Sequence, residues 1–139
     1  MLKNSLTTRL VSLSEYQSAK IIAVYRAIKS EPDLADFIAR ATNDGKIICY
    51  PTGWKTGVMH MSAEDNQIIG PSKIDILIIP CVAYDPKTKV RLGRGGGHYD
   101  RYVEKCPNAF KILVANEQDA IKNLPQEPHD LIADLVITV

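Results

Sequence analysis

Apolar positions along the chain follow two periods. Leu6, Leu10 and Leu13, with Val11 alongside, recur at helical spacing, so residues 5–18 are expected to form one amphipathic helix. Residues 21–25 (Ile-Ile-Ala-Val-Tyr) lack a polar break, the pattern of a strand buried on both faces. Ser30-Glu31-Pro32-Asp33 reads as a helix start, because proline is tolerated in a first turn and carboxylates favour the positive end of the helix dipole. Leu34, Phe37, Ile38 and Ala41 give that helix one apolar face, and Asn43-Asp44-Gly45 stops it. Residues 47–50 form a second strand ended by Pro51.

Residues 52–73 are less regular, with a short strand expected at 57–61, a turn at Asp65-Asn66 and a loop at Gly70-Pro71. The run Asp75-Ile-Leu-Ile-Ile79 is the clearest buried strand, closed by Pro80. A short helix is expected at about 98–105, and residues 111–115 and 134–138 supply two more strands. Strand, helix and strand joined by short connections predict an α/β fold. The expectation is a single three-layer α/β/α domain over residues 1–139, with a mostly parallel central sheet of about five core strands and three or four helices.

Composition narrows the classes of function. A chain of 139 residues that is 45% apolar and 24% charged has the make-up of one soluble globular domain. A formal net charge of +1 gives no global attraction to nucleic acid or to an anionic membrane. No apolar segment approaches the roughly 20 residues needed to span a bilayer, and the start has no signal-peptide core. Cys49, Cys81 and Cys106 are odd in number and contain no C-x-x-C pair, which argues against disulfides or a zinc site and for a reducing, cytoplasmic setting. A monomer is expected.

Chemistry concentrates in Arg91-Leu-Gly-Arg-Gly-Gly-Gly-His-Tyr-Asp-Arg101. Gly93, Gly95 and Gly97 alternate, with Gly96 between the last two, and Arg91, Arg94 and Arg101 surround them. Glycine lets backbone approach a ligand closely, and a helix starting just after the loop presents free N–H groups, which suit an anion. Arginine binds phosphate through two parallel hydrogen bonds. The pattern is neither Walker A nor G-x-G-x-x-G with a later acid. Asp100 either faces a phosphate-bound Mg²⁺ or is a helix-start charge stabilised by the dipole. Glu31 sits at a strand-to-helix edge, where open α/β sheets place ligands, or is a first-turn acid. Trp54 and Met59 either wall a pocket for a flat heterocycle or are plain core.

Pro80-Cys-Val-Ala-Tyr-Asp85 followed by residues 91–101 resembles the signature of the 5-formyltetrahydrofolate cyclo-ligase family. Residues 124–130 and 134–138 are similar to the family's closing pattern, and residues 19–25 with Glu31 resemble its first strand and substrate-side glutamate. The resemblance implies an ATP- and Mg²⁺-dependent closure of 5-formyltetrahydrofolate to 5,10-methenyltetrahydrofolate through a phosphorylated formyl group. It implies that Arg91, Gly93, Arg94, Gly95, Gly96, Gly97, His98, Tyr99, Asp100 and Arg101 bind ATP, with Asp100 on the metal and Arg91, Tyr99 and Asp100 catalytic. Glu31, Trp54, Met59 and Tyr99 would then hold the folate. The family pattern also includes a basic N-terminal helix, of which Lys3 and Arg9 are the possible counterparts here, and tyrosine is usual where His98 stands. The competing expectations are a weakly catalytic folate- or nucleotide-binding paralogue and, on this architecture, a different activity altogether.

Overall fold

The structure, a computed structural model, describes residues 5–53, 58–93 and 97–139. Trp54, Arg94, Gly95 and Gly96 therefore lie outside the described residues, as do Lys3 and part of the expected strand at 57–61.

Five strands correspond to the five apolar runs: β1 (Ile21–Ala23), β2 (Ile47–Thr52), β5 (Ile76–Ile79), β8 (Phe110–Ala115) and β9 (Leu135–Thr138). They run parallel in the order β2-β1-β5-β8-β9. Strands β3 (His60–Ala63) and β4 (Ile68–Ile69) add an antiparallel edge beyond β2, through a turn in which Asn66 takes a positive φ of 67°. A separate two-stranded ribbon pairs β6 (Ala83–Tyr84) with β7 (Arg91–Leu92).

Period-two alternation sends the buried strands' side chains to opposite faces. Ile22, Ile48, Ile76, Ile78 and Ile112 pack under Leu10, Tyr16 and Phe37 from α1 (Leu6–Val11), α2 (Ser14–Ser18) and α3 (Ala35–Asn43), with Leu34 at the N-cap of α3. Ala23, Cys49, Leu77, Ile79 and Leu113 pack on the other side with Tyr84, Leu131 and Tyr99 and Tyr102 of α4 (His98–Val103). These are the three layers expected.

Three local expectations are corrected. The helix expected over 5–18 is broken in two: the Ser12 hydroxyl donates back to the Thr8 carbonyl at 2.6 Å, and Leu13 turns extended to begin α2. The helix expected from Ser30 starts instead at Ala35, so Glu31 is not a first-turn acid. The buried Tyr25 hydroxyl donates to the Pro32 carbonyl at 2.7 Å, and the Glu31 carboxylate accepts the Ile28 N–H at 3.0 Å, holding 28–32 as a turn. Asp33 then accepts the Ala35 N–H and opens α3, and Gly45 ends it at φ +84°. Pro51 does not end β2 but lies inside it, paired with Met61. Ile47 donates to Lys20 and Cys49 accepts from Val24, so odd positions of β2 face β1. Because β1 ends at Ala23, Pro51 needs no N–H on that side.

Candidate active site

The chain first steps from β1 to β2 on one side, then resumes at β5 on the other, so the loops after β1 and β5 part over the strand ends. Such switch points are where open α/β sheets bind ligands. A cavity of about 490 Å³ lies there. Tyr25, Arg26, Ile28 and Glu31 line it from the loop after β1, Pro51 from β2, and Pro80 and Cys81 from the end of β5. Arg91 to Gly93 and Gly97 to Asp100 form another wall, and Leu124, Pro125, Glu127 and Asp130 close it.

The ribbon exists because Asp85 organises its turn. Its buried carboxylate accepts the N–H groups of Lys87 at 2.9 Å and Thr88 at 3.3 Å, which allows Lys89 its positive φ. The other oxygen accepts the Leu124 N–H at 3.2 Å, tying the ribbon to the 124–130 wall. These donors hold the Asp85 carboxyl below its ordinary value. The ribbon presents Arg91, whose guanidinium donates to the Pro80 carbonyl at 3.1 Å and lies 5.4 Å from the Tyr99 ring centre. Burial lowers the pKa of Arg91, and the field of Asp100 partly offsets that. A Cβ on Gly93 would sit 2.5 Å from the Arg91 guanidinium, so only glycine leaves the arginine its place.

Gly97 occupies the left-handed region at φ +65° and starts α4. Arg101 reaches back so that a Cβ there would meet its Nη1 at 2.9 Å, and its Nη2 lies 3.3 Å from His98 Nδ1. Asp100 lines the cavity and its Oδ1 accepts the Leu131 N–H at 3.0 Å. Tyr99 is 7% exposed, and its hydroxyl is buried without a hydrogen-bond partner among the described residues. Burial pushes the Cys81 thiol up to about 11 despite Arg91 nearby, so it is a neutral wall.

Of the expected site residues, Glu31, Arg91, Gly93, Gly97, His98, Tyr99 and Asp100 meet in this cavity. Arg101 lies beside it through Gly97 and His98. Met59 is not among the described residues lining the cavity: it is 4% exposed in the core cluster that also holds Met61 and Ile74, the plain-core alternative. Tyr25, Arg26 and the 124–130 segment were missed as site residues. Arg26 directly follows a buried strand at its C-terminal edge, which was the available signal. Among the described residues no group of three or more His, Cys, Asp or Glu is arranged to hold a metal ion.

Fold and cavity together define a doubly wound α/β protein with an arginine- and glycine-rich loop at its strand switch point. The sequence profile of the 5-formyltetrahydrofolate cyclo-ligase family matches residues 55–139. The chain is 31% identical to the 5-formyltetrahydrofolate cyclo-ligase of Mycoplasma genitalium, covering 85% of this chain and 72% of that protein. It is 22% identical to the mouse 5-formyltetrahydrofolate cyclo-ligase, over 95% of this chain and 79% of that one. The solved structure of a 5,10-methenyltetrahydrofolate synthetase from Mycoplasma pneumoniae superposes with a TM-score of 0.84 at 28% identity, covering 94% of this chain and 80% of that one. This chain belongs to the 5-formyltetrahydrofolate cyclo-ligase family.

Proposed function

We propose that the chain catalyses the ATP-dependent cyclisation of 5-formyltetrahydrofolate to 5,10-methenyltetrahydrofolate, releasing ADP and phosphate. The observation that carries this reading is the convergence of Arg91, Gly97, Asp100, Tyr99 and Glu31 on one cavity in a member of that family. Phosphorylation of the formyl oxygen makes it a leaving group; the second folate nitrogen attacks the activated carbon, and phosphate departs. Phosphoryl transfer of this kind asks for positioning and charge neutralisation, and needs no protein nucleophile.

Arg91 is suited to neutralise charge on the transferring group, because the Pro80 carbonyl and the Tyr99 ring already fix its guanidinium. Gly93 and Gly97 keep the loop backbone close, and Arg101 with His98 flanks the start of α4. Sequence alone assigns Arg94, Gly95 and Gly96 to the same loop, and Trp54 to the folate wall. Glu31 is positioned by the Ile28 N–H to accept hydrogen bonds from the pterin or formyl end. Tyr99 offers that end a ring and an uncommitted hydroxyl.

Mg²⁺ commonly binds through one or two carboxylates together with substrate phosphates and water, rather than in an all-protein cage. Asp100 lines the cavity together with Glu31, Glu127 and Asp130, and among the described residues no three of them cluster into a cage, which fits that mode. Asp100 would hold the ion, which would supply further charge neutralisation at the phosphates. No helix among the described residues is long and apolar enough to cross a membrane.

The test is to mix purified chain, 5-formyltetrahydrofolate and MgATP and follow methenyl-folate absorbance. Product formation at catalytic enzyme concentration is expected. Folate binding by calorimetry without any turnover would replace the enzyme with a binding module.

A further inference from the structure

The loop after β1 spans the strand ends. Near its start, the Arg26 guanidinium lies 4.1 Å from the centre of the Tyr50 ring on β2. Near its end, the Ser30 carbonyl accepts from Asn116, which follows β8, at 2.8 Å, and Glu31 is the next residue. In the sheet order β2-β1-β5-β8, those two anchor points lie three strand spacings apart, roughly 14 Å at about 4.8 Å per spacing. Both Arg26 and Glu31 line the cavity, so one ligand touching both must be long.

The cavity's cations are also divided. Arg91 is fixed over β5 by the Pro80 carbonyl, and Arg101 stands beside Gly97 at the start of α4. Arg26 stands apart from them on the β2 side, with no carboxylate among the described residues within ion-pairing distance of 4.0 Å. Glu64 is the acidic group whose field acts on Tyr50 from the neighbouring strands, yet it makes no ion pair with Arg26. Tyr50 serves as a platform beneath the guanidinium, and Arg26 is itself exposed, so its N–H groups remain open to a ligand.

We infer that Arg26, stacked on Tyr50, is a specificity-determining residue that binds the glutamyl carboxylate of the folate substrate. The inference rests on the folate reading above. With the pterin end at Glu31, a pterin–aminobenzoyl skeleton is of the length that separates the two loop ends. The carboxylates at its far end are the substrate's only full charges, and they would meet an arginine that no carboxylate among the described residues neutralises. The phosphates of the nucleotide have Arg91 and the glycine loop on the other side of β1. Arg26 should therefore act on folate KM and leave the nucleotide and the chemical step unchanged.

The experiment compares 5-formyltetrahydrofolate with 5-formyltetrahydropteroate, which lacks the glutamate, on wild type, Arg26→Gln and Arg26→Lys at saturating MgATP. Wild type should favour the folate by about tenfold in KM, the worth of one charge-assisted hydrogen bond. Arg26→Gln should erase that preference by raising the folate KM alone, with kcat and the MgATP KM within about twofold, and Arg26→Lys should restore much of it. An equal KM rise for both compounds, a rise for MgATP, or no wild-type preference would overturn the inference. Calorimetric titration of both compounds without ATP separates this from the enzymatic reading. A folate preference lost in Arg26→Gln supports Arg26 even in a chain that makes no product; a chain that binds neither compound overturns both. Should Arg26→Gln fail to fold, the wild-type preference and its loss at high salt give the same answer.

Discussion

Replacing Tyr99 with phenylalanine should strengthen the empty protein and weaken its hold on ligand. Tyr99 is 7% exposed in the first turn of α4, and its hydroxyl is buried with no partner among the described residues. Burial raises the phenol above its ordinary value of 10.0, so it remains a donor at neutral pH. A hydroxyl withdrawn from water without a partner costs roughly 1–3 kcal/mol. Tyr99→Phe removes that cost but keeps the ring and its stacking beneath Arg91, 5.4 Å away. Taking the low end, the variant gains about 1 kcal/mol, which raises the unfolding midpoint by roughly 3–5 °C for a chain of this size. In the complex the sign reverses, because the ligand loses one hydrogen bond worth about 1 kcal/mol, or roughly fivefold in affinity. Thermal unfolding with and without saturating 5-formyltetrahydrofolate and MgATP, alongside steady-state kinetics, reads both halves. A lower midpoint for the unliganded variant would mean that the hydroxyl has a partner after all. An unchanged ligand-induced shift would mean that no ligand uses it, and either result refutes the reasoning.

Other outcomes follow from the same geometry. Gly97→Ala and Gly45→Ala both force a side chain into the left-handed region, at φ +65° and +84°, and each should lose roughly 1–2 kcal/mol in denaturant titration. Only Gly97→Ala also displaces Arg101, so it alone should raise the MgATP KM; equal kinetics would remove Gly97 from the nucleotide loop. Arg91→Ala should reduce ATP-dependent turnover far more than folate affinity, by about 1.5–3 kcal/mol in kcat/KM, and equal losses in both would misassign it. Glu31→Gln keeps an acceptor for the Ile28 N–H, so folding should survive while folate KM rises; unchanged folate kinetics would return Glu31 to a loop-ordering role. The Asp85 carboxyl is held below its ordinary 3.8, so its stabilisation is complete above that value and is lost as pH falls through the lower folded one. Asp85→Asn should flatten that acid limb in urea midpoints measured across pH, and an unaltered limb would show that the carboxylate is not its source.

The sheet was legible because its strands centre on short apolar runs: residues 76–79 are buried at every position and closed by Pro80, a length and bounding that suit a strand buried on both faces. The helix boundaries were less legible. Nothing local in Ser30-Glu31-Pro32-Asp33 reveals that the Tyr25 hydroxyl, in a preceding buried run, takes the Pro32 carbonyl and delays α3 to Ala35. Likewise the break at Ser12 arises from one hydroxyl competing for a helical carbonyl. In the site, Arg91 and Asp100 could be read from their place beside glycines. Arg26 was signalled only by its place after the buried run 21–25, and its partner Tyr50 reaches it only through the β1–β2 pairing. Met59 shows the converse: its neighbours in sequence suggested a pocket, but the fold put it in the core.

Within the parallel strands, the pairing of β1 with β5 is the shortest, with only Ile22 opposite Ile76 and Ala23 opposite Leu77 in register. That narrow seam runs under the cavity, and the cavity's walls come from both sides of it: Arg26 and Pro51 on one, Pro80, Arg91 and Asp100 on the other. A molecule lying across the opening would fasten the two halves where the backbone ladder fastens them least. Amide exchange along this seam should therefore slow on ligand binding more than exchange between β8 and β9, whose pairing runs from Ile112 to Ala115. In that respect the substrate acts as a missing rung of the sheet.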